Sequence, residues 1–531
     1  MSSPFDWSFP YASRKMPVLA ANAVATSQPL AAQAGLRMLL AGGNAVDSAI
    51  ATAIALTVVE PVMNGIGGDM FALVWHDGRL HGLNSSGCAP AAWTPEYFNG
   101  RDAMPGTGWG TVTVPGQVAG WKALSERFGK LPFATLFEPA IAYAEEGFAV
   151  SPTIARQWAT QAPKLAHEPG FAEAFLPQGR APQAGEWWRF PAQAKTLRDI
   201  AESGGDSFYR GELARKITDY ASQTGGALSA ADLAEHRPEW VAPISQSFRD
   251  VELHEIPPNG QGISALMALG MLEQFDLEGM GRDSADYYHV SIEAMKLAFA
   301  DLHHHVADPR HMRTDARALL DRAYLTERAR LISMDRASVP TAGTPATGGT
   351  VYLTAADASG TMVSFIQSNY HGFGSGVVVP GTGISLHNRG LNFVLTPGHA
   401  NQVAPRKKPM HTIIPAFVTR GGQPLMSFGV MGGSMQAQGH LQMVTRLAAF
   451  GQNPQAMSDA PRFRVEKGPV VNVESHLPAD VVETLRARGH NVAVAPADSL
   501  EFGSAQLICR LPQGGYMAAS DSRRDGQAVG F

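Results

Sequence analysis

The sequence has few of the features that mark disulfide-bonded, redox-active or membrane-embedded proteins. Its 531 residues include only two cysteines, Cys88 and Cys509, which lie far apart and match no metal or redox spacing. No apolar run approaches the length of a membrane span, and the N-terminus lacks the basic and apolar regions of a signal peptide. We therefore expect a soluble, cytoplasmic protein without disulfide bonds.

Charge is scarce as well. Charged residues make up 17% of the chain and the net charge is −5, so nothing indicates a nucleic-acid or membrane partner. The run His303-His304-His305 looks like a metal site, but consecutive positions on a helix point in different directions. We therefore expect no bound metal ion. The hydrophobic content, 45%, is that of a globular protein with a substantial core.

Helical periodicity dominates the first two thirds of the chain. Helices are predicted over 30–40, ending at Gly42-Gly43, and over Ala45–Val59, with Asn44 as its cap. Further predicted helices cover 116–128, 133–146, 191–202, 211–223, 263–308 and 436–450. The Gly-rich turn at 64–69, before a strand over 70–75, has the wrong spacing for a nucleotide loop and predicts close backbone packing.

One threonine stands where a loop becomes a sheet. A run rich in Pro, Thr and Gly over 338–349 ends in an alternating strand that begins at Thr350, and a second strand over 361–367 follows. Cleavage before Thr350 would give this residue a hydroxyl nucleophile and a free α-amine, whose pKa of about 7.7 to 8 suits a general base. The simpler alternative is a Gly-Gly loop that enters an ordinary hairpin.

Two other segments could complete a site around Thr350. Gly432 and Gly433 follow a strand and precede a predicted helix, so their backbone N–H groups could stabilise an oxyanion. The run 367–376 collects polar and aromatic groups, among them Ser368 and Tyr370. A plain strand-to-helix turn and a polar loop are the alternatives.

Six segments, in a single order along the chain, resemble the γ-glutamyltransferase (glutathione hydrolase) family of N-terminal-nucleophile hydrolases. They are Gly42-Gly43-Asn44-Ala45-Val46-Asp47, Asn64-Gly65-Ile66-Gly67-Gly68, Pro257-Pro258, Thr350 with its hairpin, Gly432-Gly433 and Asp459-Ala460-Pro461-Arg462-Phe463. The resemblance implies an α+β protein with a four-layer αββα sandwich. It also implies a proenzyme that cleaves itself into a large α-rich subunit, 1–349, and a small β-rich subunit, 350–531, which could dimerise further.

The resemblance also implies roles for individual residues. Thr350 would be nucleophile and base, Gly432 and Gly433 would form the oxyanion hole, and Ser368 would hydrogen-bond near the nucleophile. The acyl group would pass from a small-molecule amide to Thr350 and then to water or an amine. Because the nucleophile is internal, we expect no cofactor.

Departures from the family pattern fall on the part that recognises glutamate. The family's Arg-Glu-x-Ala-Pro, whose Arg holds the α-carboxylate, is matched by Ser-Gly-Cys-Ala-Pro with Ser86 at the Arg position. A neutral hydroxyl cannot replace the bidentate pairing of a guanidinium with a carboxylate.

The ammonium side of the glutamate pocket differs too. The family's Asn-Gln-x-Asp-Asp-Phe becomes Asn-Arg-Gly-Leu-Asn-Phe, with Arg389 and Asn392, and its Ser-Ser pair becomes His411-Thr412. The usual Asn near Ser368 is matched by Tyr370. These five positions are predicted to contact substrate, and their altered charge favours an acyl group with a carboxylate at a different place.

Three interpretations follow. The first is an autoprocessed hydrolase or acyltransferase of this family that acts on γ-glutamyl or related acyl amides. The second keeps the same machinery for a non-glutamyl, glutaryl-type acyl amide, as in cephalosporin-acylase-like amidases. The third is an uncleaved homologue that serves as a scaffold. An unrelated serine hydrolase is disfavoured because no Gly-x-Ser-x-Gly elbow occurs.

Overall fold

Two antiparallel sheets of seven strands form the centre of the protein. The computed structural model describes residues 10–12, 15–339, 349–466 and 469–531, so most of the Pro-, Thr- and Gly-rich run before Thr350 lies outside the described residues. The first sheet consists, in spatial order, of Gln527–Gly530, Ala23–Thr26, Gly349–Ala356, Met362–Tyr370, Asp69–His76, Arg79–Ser85 and Glu239–Val241. The second consists of Val18–Ala20, Tyr516–Ser520, Ser504–Arg510, Gln423–Met431, Ala416–Arg420, Val251–Glu255 and Ile244–Phe248.

Helices cover the outer face of each sheet. Those on the side of the first sheet include Pro29–Leu40, Ala45–Val59, Gln117–Phe128, Glu138–Glu146 and Pro191–Glu202. Those on the second are Gly262–Leu272, Ala285–His305 and Met435–Ala448. The predicted four-layer αββα sandwich is therefore confirmed. No helix in the described ranges is long and apolar enough to cross a bilayer.

The remaining elements are shorter or lie around this sandwich. The other α-helices are Pro152–Leu165, Phe171–Phe175, Asp206–Arg210, Glu212–Gln223, Ala230–Glu235, Leu277–Met280, Ala316–Leu319, Arg322–Ala329, Pro454–Asp459 and Ala479–Ala487. Small sheets pair Phe463–Val465, Val470–Val473 and Asn491–Val494, Phe148–Ala149 with Trp187–Trp188, and Val378–Val379 with Ile384–Ser385.

The two central sheets pack face to face through both apolar and polar contacts. The hydroxyls of Thr354 and Ser427 lie 2.6 Å apart across the interface. Gly429 leaves room for the Tyr352 ring, because a Cβ at Gly429 would lie 2.3 Å from that ring. The first strand after the predicted cleavage point is therefore held on its face as well as on both edges, where it pairs with Ala23–Thr26 and Met362–Tyr370.

Most predicted helices are observed, with one correction. The helix Ala45–Val59 has the predicted bounds, and Asn44 forms a capping box with Asp47. The long helical region predicted over 263–308 is helical for most of its length but is not one helix, because the chain breaks into Gly262–Leu272, Leu277–Met280 and Ala285–His305. Gly281 adopts φ +85°, and the side chain of Ser284 caps the last of these helices.

The Gly-rich turn at 64–69 packs backbone against backbone, as predicted. A Cβ at Gly67 would lie 2.5 Å from the carbonyl oxygen of Ser385, and one at Gly68 would lie 2.7 Å from that of Ser368. Only glycine allows this approach. The turn therefore supports the strand that carries Ser368.

The predicted subunits 1–349 and 350–531 do not correspond to separate sheets. Each central sheet contains strands from both sides of Thr350, and strands of the two parts pair directly with one another in both sheets. Cleavage before Thr350 would therefore leave two chains that share both sheets and the core.

Candidate active site

Thr350 lies at an irregularity of the first sheet. Gly349 pairs with Tyr370 and Val351 pairs with Gln367, so two residues, Ser368 and Asn369, face Thr350 alone. An extra residue of this kind is a β-bulge, which bends the strand and re-aims a side chain. Because the extra residue lies in the strand Met362–Tyr370, the bulge changes the direction of the side chains that face Thr350, among them Ser368.

The Thr350 hydroxyl has neutral polar neighbours. It lies 3.4 Å from the Ser368 hydroxyl, and the Gln436 side-chain amide donates to it over 3.3 Å. The other end of the Gln436 amide accepts from the backbone N–H of Ile414 at 3.0 Å. The Ser368 hydroxyl oxygen accepts from the Tyr370 N–H at 2.7 Å. Both neighbours are therefore held by the backbone.

Gly432 and Gly433 form the turn that leads into the helix Met435–Ala448. Their φ angles are +124° and +63°, and their carbonyl oxygens accept from the N–H groups of Met435 and Gln436. The turn thus continues directly into the helix N-terminus, where backbone N–H groups carry partial positive charge. An oxyanion formed beside Gly432 would lie in this field.

An open cavity of about 610 Å³ connects these groups. Thr350, Met431 and Gly432 line one part of it, and His371 and Asn388 line another. Burial, and then Arg389, lower the pKa of His371 to about 4, so its imidazole is neutral at physiological pH. The cavity provides space for a substrate next to the Thr350 hydroxyl.

Arg389 is a fully buried cation among the residues predicted to contact substrate. Its side chain is fully buried, and Nη1 donates to the Thr412 hydroxyl at 2.8 Å. Its guanidinium lies 4.3 Å from the centre of the Tyr370 ring. Nε and Nη2 make no hydrogen bond to any described residue. Burial lowers the pKa of Arg389 to about 10, which still leaves it charged.

Three other predicted residues, Tyr370, Asn392 and Thr412, line a second cavity of about 360 Å³. Tyr370 has φ +76°, its hydroxyl has no partner among the described residues, and its ring packs against that of His371. Asn392 donates to the carbonyl oxygen of Met410 at 2.9 Å. Tyr370 thus contacts Arg389 and this second cavity, while its neighbour His371 lines the cavity of Thr350.

His411 does not line either of these two cavities. It is fully buried, and Nε2 lies 3.1 Å from a carboxylate oxygen of Asp69. The same Asp69 oxygen lies 3.4 Å from Nδ1 of His387. Burial, and then Arg389, lower the pKa of His411 to about 3. His411 is therefore a neutral core side chain bonded to Asp69, below the predicted recognition residues.

Ser86, which stands at the family's Arg position, is also part of the core. Its hydroxyl donates to the Asn84 side chain at 2.8 Å and lies 3.3 Å from the Asn259 amide. The structure thus offers no cation at this position.

Sequence reasoning missed three contributors to the site. Gln436 lies three residues after Gly433 on the first turn of the helix, and this spacing could have indicated it. Asp69 ends the glycine turn whose backbone role was predicted, but its contacts with His387 and His411 depend on tertiary structure. The cations that line the cavity, such as Arg524, are remote in sequence from Thr350, and no sequence motif indicated them.

The αββα sandwich, with a threonine at the start of a central strand and a glycine turn beside it, is the architecture of an N-terminal-nucleophile hydrolase. The gamma-glutamyltranspeptidase family model matches residues 31–531, so the chain belongs to that family. The predicted family, fold and enzyme class are thereby confirmed. Among the described residues, no group of three or more His, Cys, Asp or Glu side chains is arranged to hold a metal ion.

Similar proteins within this family have different names. The chain is 36% identical over 510 residues to the glutathione hydrolase-like YwrD proenzyme of Bacillus subtilis, covering 94% of this chain and 97% of that protein. It is 37% identical over 514 residues to the oxamate amidohydrolase proenzyme of Klebsiella pneumoniae, covering 94% and 97%. The crystal structure of cephalosporin acylase from Bacillus halodurans superposes with TM-score 0.94 at 49% identity, covering 99% of each chain.

Proposed function

We propose that this chain is a proenzyme that cleaves itself between Gly349 and Thr350 and then hydrolyses a small amide through an acyl-enzyme on Thr350. The single observation that carries the proposal is the position of the Thr350 hydroxyl, at a β-bulge between Ser368 and Gln436 and beside an open cavity. Attack of this hydroxyl on the Gly349 carbonyl would break the peptide bond, freeing the α-amine of Thr350 and forming an ester between Gly349 and the Thr350 oxygen. Hydrolysis of that ester would then separate the two chains and restore the hydroxyl.

The catalytic cycle then uses the freed amine. It takes the proton of the Thr350 hydroxyl as the oxygen attacks the substrate carbonyl, and it returns that proton to the leaving amine. The N–H groups of Gly432 and Gly433 stabilise the oxyanion. Water, or a second amine, attacks the ester and restores Thr350.

For the acyl group, we propose a short chain that ends in a carboxylate bound by Arg389. Two nitrogens of this buried guanidinium make no hydrogen bond to a described residue, and a buried donor without a hydrogen bond is unfavourable. A planar carboxylate would satisfy both nitrogens. The Tyr370 ring lies over the guanidinium, so acyl binding requires this ring to shift.

A glutaryl-type acyl group is favoured over a γ-glutamyl group. The position that binds the glutamyl α-carboxylate in glutathione-processing members is Ser86 here, and its hydroxyl is bonded to Asn84. Arg389 would repel the glutamyl ammonium. Oxamate and glutaryl groups both present a carboxylate without an ammonium on the acyl side, and an oxamate amidohydrolase is among the similar proteins.

The first experiment combines intact-mass spectrometry with two chromogenic donors, glutaryl-p-nitroanilide and γ-glutamyl-p-nitroanilide. We expect two fragments, one beginning at Thr350, and faster turnover of the glutaryl donor. Thr350→Ala should stay full-length and inactive, whereas Thr350→Ser keeps a hydroxyl and should mature with reduced activity. Faster turnover of the γ-glutamyl donor would move the protein to the glutathione-hydrolase interpretation. A wild-type chain that stays full-length and inactive would leave only the third interpretation, an uncleaved homologue that serves as a scaffold.

A further inference from the structure

Arg524 forms part of the wall of the Thr350 cavity, far in sequence from the other recognition residues. Its side chain is only 9% exposed, and it lines the same cavity as Thr350 and Gly432. Nε and Nη1 are buried and make no hydrogen bond to any described residue. Arg524 therefore combines unpaired guanidinium nitrogens with a place in the wall of the cavity that Thr350 also lines.

The other cations that line this cavity are already partnered. Arg156 pairs with Asp498 at 2.9 Å, Arg464 pairs with Glu466 at 2.8 Å, and the Lys164 ammonium lies 3.4 Å from the Gln161 side-chain oxygen. Arg524 takes part in none of the ion pairs formed by the described residues. It is thus the member of this group whose hydrogen-bonding capacity is open.

The carboxylates near Arg524 are occupied elsewhere. Glu60 accepts from the Ser27 hydroxyl at 2.5 Å, Asp521 pairs with Arg462 at 2.7 Å, and Asp525 accepts from Thr153 at 2.6 Å. Burial lowers the pKa of Arg524, and these three carboxylates oppose that effect without bonding to the guanidinium.

The backbone around Arg524 is held in place. Lys15 donates to the carbonyl oxygens of Asp521, Arg524 and Gly526 at 2.6, 3.0 and 2.5 Å. A guanidinium on such a fixed loop is preorganised for a planar anion, because little side-chain and loop freedom remains to be lost on binding.

We propose that Arg524 binds a carboxylate on the amine side of the substrate, so that the preferred leaving group is an amine that carries a carboxylate. The inference rests on the proposed role of Thr350. The amine side is assigned because Arg389, the cation proposed for the acyl side, is fully buried against the Tyr370 ring, whereas Arg524 lines the open cavity of Thr350, which has room for a leaving group. A carboxylated acceptor amine would use the same contact in acyl transfer.

The test uses two donors with one glutaryl group and matched leaving groups, 4-aminobenzoate and its neutral isostere 4-aminobenzamide. We expect wild-type kcat/KM to favour the 4-aminobenzoate donor by about tenfold or more. Arg524→Met should remove this preference and change turnover of the neutral donor by less than about threefold, whereas Arg524→Lys should keep part of the preference. Arg420→Met, which removes a cation paired with Asp250 at 3.0 Å, should leave the preference intact.

Two results would overturn the inference: equal kcat/KM for both donors in the wild type, or an equal loss on both donors in Arg524→Met. Because Arg524 is buried, each variant is first checked for cleavage and thermal unfolding. If Arg524→Met does not fold, competitive inhibition of the wild type decides, and 4-aminobenzoate should inhibit at least about tenfold more strongly than 4-aminobenzamide.

If neither donor is turned over, the proposed function fails, and calorimetric binding of 4-aminobenzoate to the same protein still tests Arg524. Transfer to a carboxylated acceptor is tested by adding 4-aminobenzoate to the reaction with glutaryl-p-nitroanilide. The amide formed between the glutaryl group and 4-aminobenzoate is measured.

Discussion

Thr350 and Arg389 are both buried, but their surroundings are built differently. Thr350 has neutral hydroxyl and amide neighbours, lies at a bulge in the backbone and lines an open cavity. Arg389 has an aromatic ring and one hydroxyl around its guanidinium, and Asp69 lies near enough to favour its charged form. We call the surroundings of Thr350 the reaction half of the site and those of Arg389 the recognition half. The reaction half therefore depends on backbone geometry, and the recognition half depends on buried charge.

This difference separates two kinds of effect. A change that disturbs the backbone near Thr350 should lower the rate on every acyl donor, since all donors use the same nucleophile and oxyanion groups. A change of charge at Arg389 should alter the choice between donors, since a neutral acyl group makes no use of the guanidinium. Each prediction below tests this separation.

The largest effect is expected from Gly432→Ala. A φ of +124° is almost inaccessible to alanine, and the added Cβ would lie 3.2 Å from the Cα of Gly503. The turn must shift, so we expect kcat/KM to fall by about 100-fold or more on all donors. Rates are measured on the cleaved fraction, which mass spectrometry quantifies.

Gly421→Ala is the control, because Gly421 also has positive φ but has open space around it in a hairpin turn. It should keep near wild-type kcat/KM. Unchanged rates in Gly432→Ala would show that this turn does not stabilise the oxyanion.

An intermediate effect is expected from Arg389→Met. Losing a charge-assisted pair with the acyl carboxylate should raise KM for a glutaryl donor by about 10- to 100-fold. A pentanoyl donor of similar length should be affected by less than about threefold, because it has no carboxylate. The ratio of kcat/KM for the two donors is the measurement.

Thr412→Val is the matched comparison, since it removes the hydroxyl that accepts from Arg389 but keeps the charge. Its shift in donor preference should be smaller. Equal losses on glutaryl and pentanoyl donors in Arg389→Met would show that Arg389 supports the fold and not the acyl group.

The smallest effect concerns stability, and it comes from the core beneath the recognition residues. Burial, with a smaller contribution from Arg389, lowers the pKa of both His411 and His387 from an ordinary value of 6.5 to about 3. The unfolded chain therefore binds protons more readily than the folded chain below pH 6.5. The stability contributed by these neutral side chains is fully present above that pH and is lost as the pH falls toward 3.

Each histidine should add a slope of up to about 1.4 kcal/mol per pH unit to the free energy of unfolding in this window. Urea unfolding at pH 8, 6 and 5 measures the slope. His411→Gln should be less stable at pH 8 and should show a shallower decrease on acidification. Parallel curves for the two proteins would mean that His411 does not titrate between the folded and unfolded states.

Much of the reaction half could be predicted from local sequence. Thr350 at the start of a strand and the Gly432-Gly433 turn before a helix are short patterns, and both are observed where they were predicted. Gln436 belongs to the same helix turn and was overlooked. The division of the site between two cavities could not be predicted, because it depends on tertiary packing: Tyr370 lines the second cavity, whereas the next residue, His371, lines the cavity of Thr350.

The recognition half shows the limit of residue-by-residue comparison. Arg389, His411 and Thr412 were expected to act together on substrate, yet Arg389 bonds to Thr412 while His411 bonds to Asp69 in the core. Arg524 lies more than 130 positions from Arg389 in the sequence. Its place beside Thr350 follows from the loop held by Lys15.

The sequence by itself indicated the family through short motifs, the four-layer architecture through the resemblance to that family, and the residue at which a nucleophile could be exposed through the pattern of loop and strand, since motifs and turns are local properties. Tertiary structure alone decided which cations face the nucleophile and which polar groups are left without partners. The physical reason is that burial and pairing depend on neighbours distant in sequence. For that reason the roles proposed for the charges of Arg389 and Arg524 follow only from the packed structure, in which the sheets, the Gly-rich turn and the C-terminal loop come together.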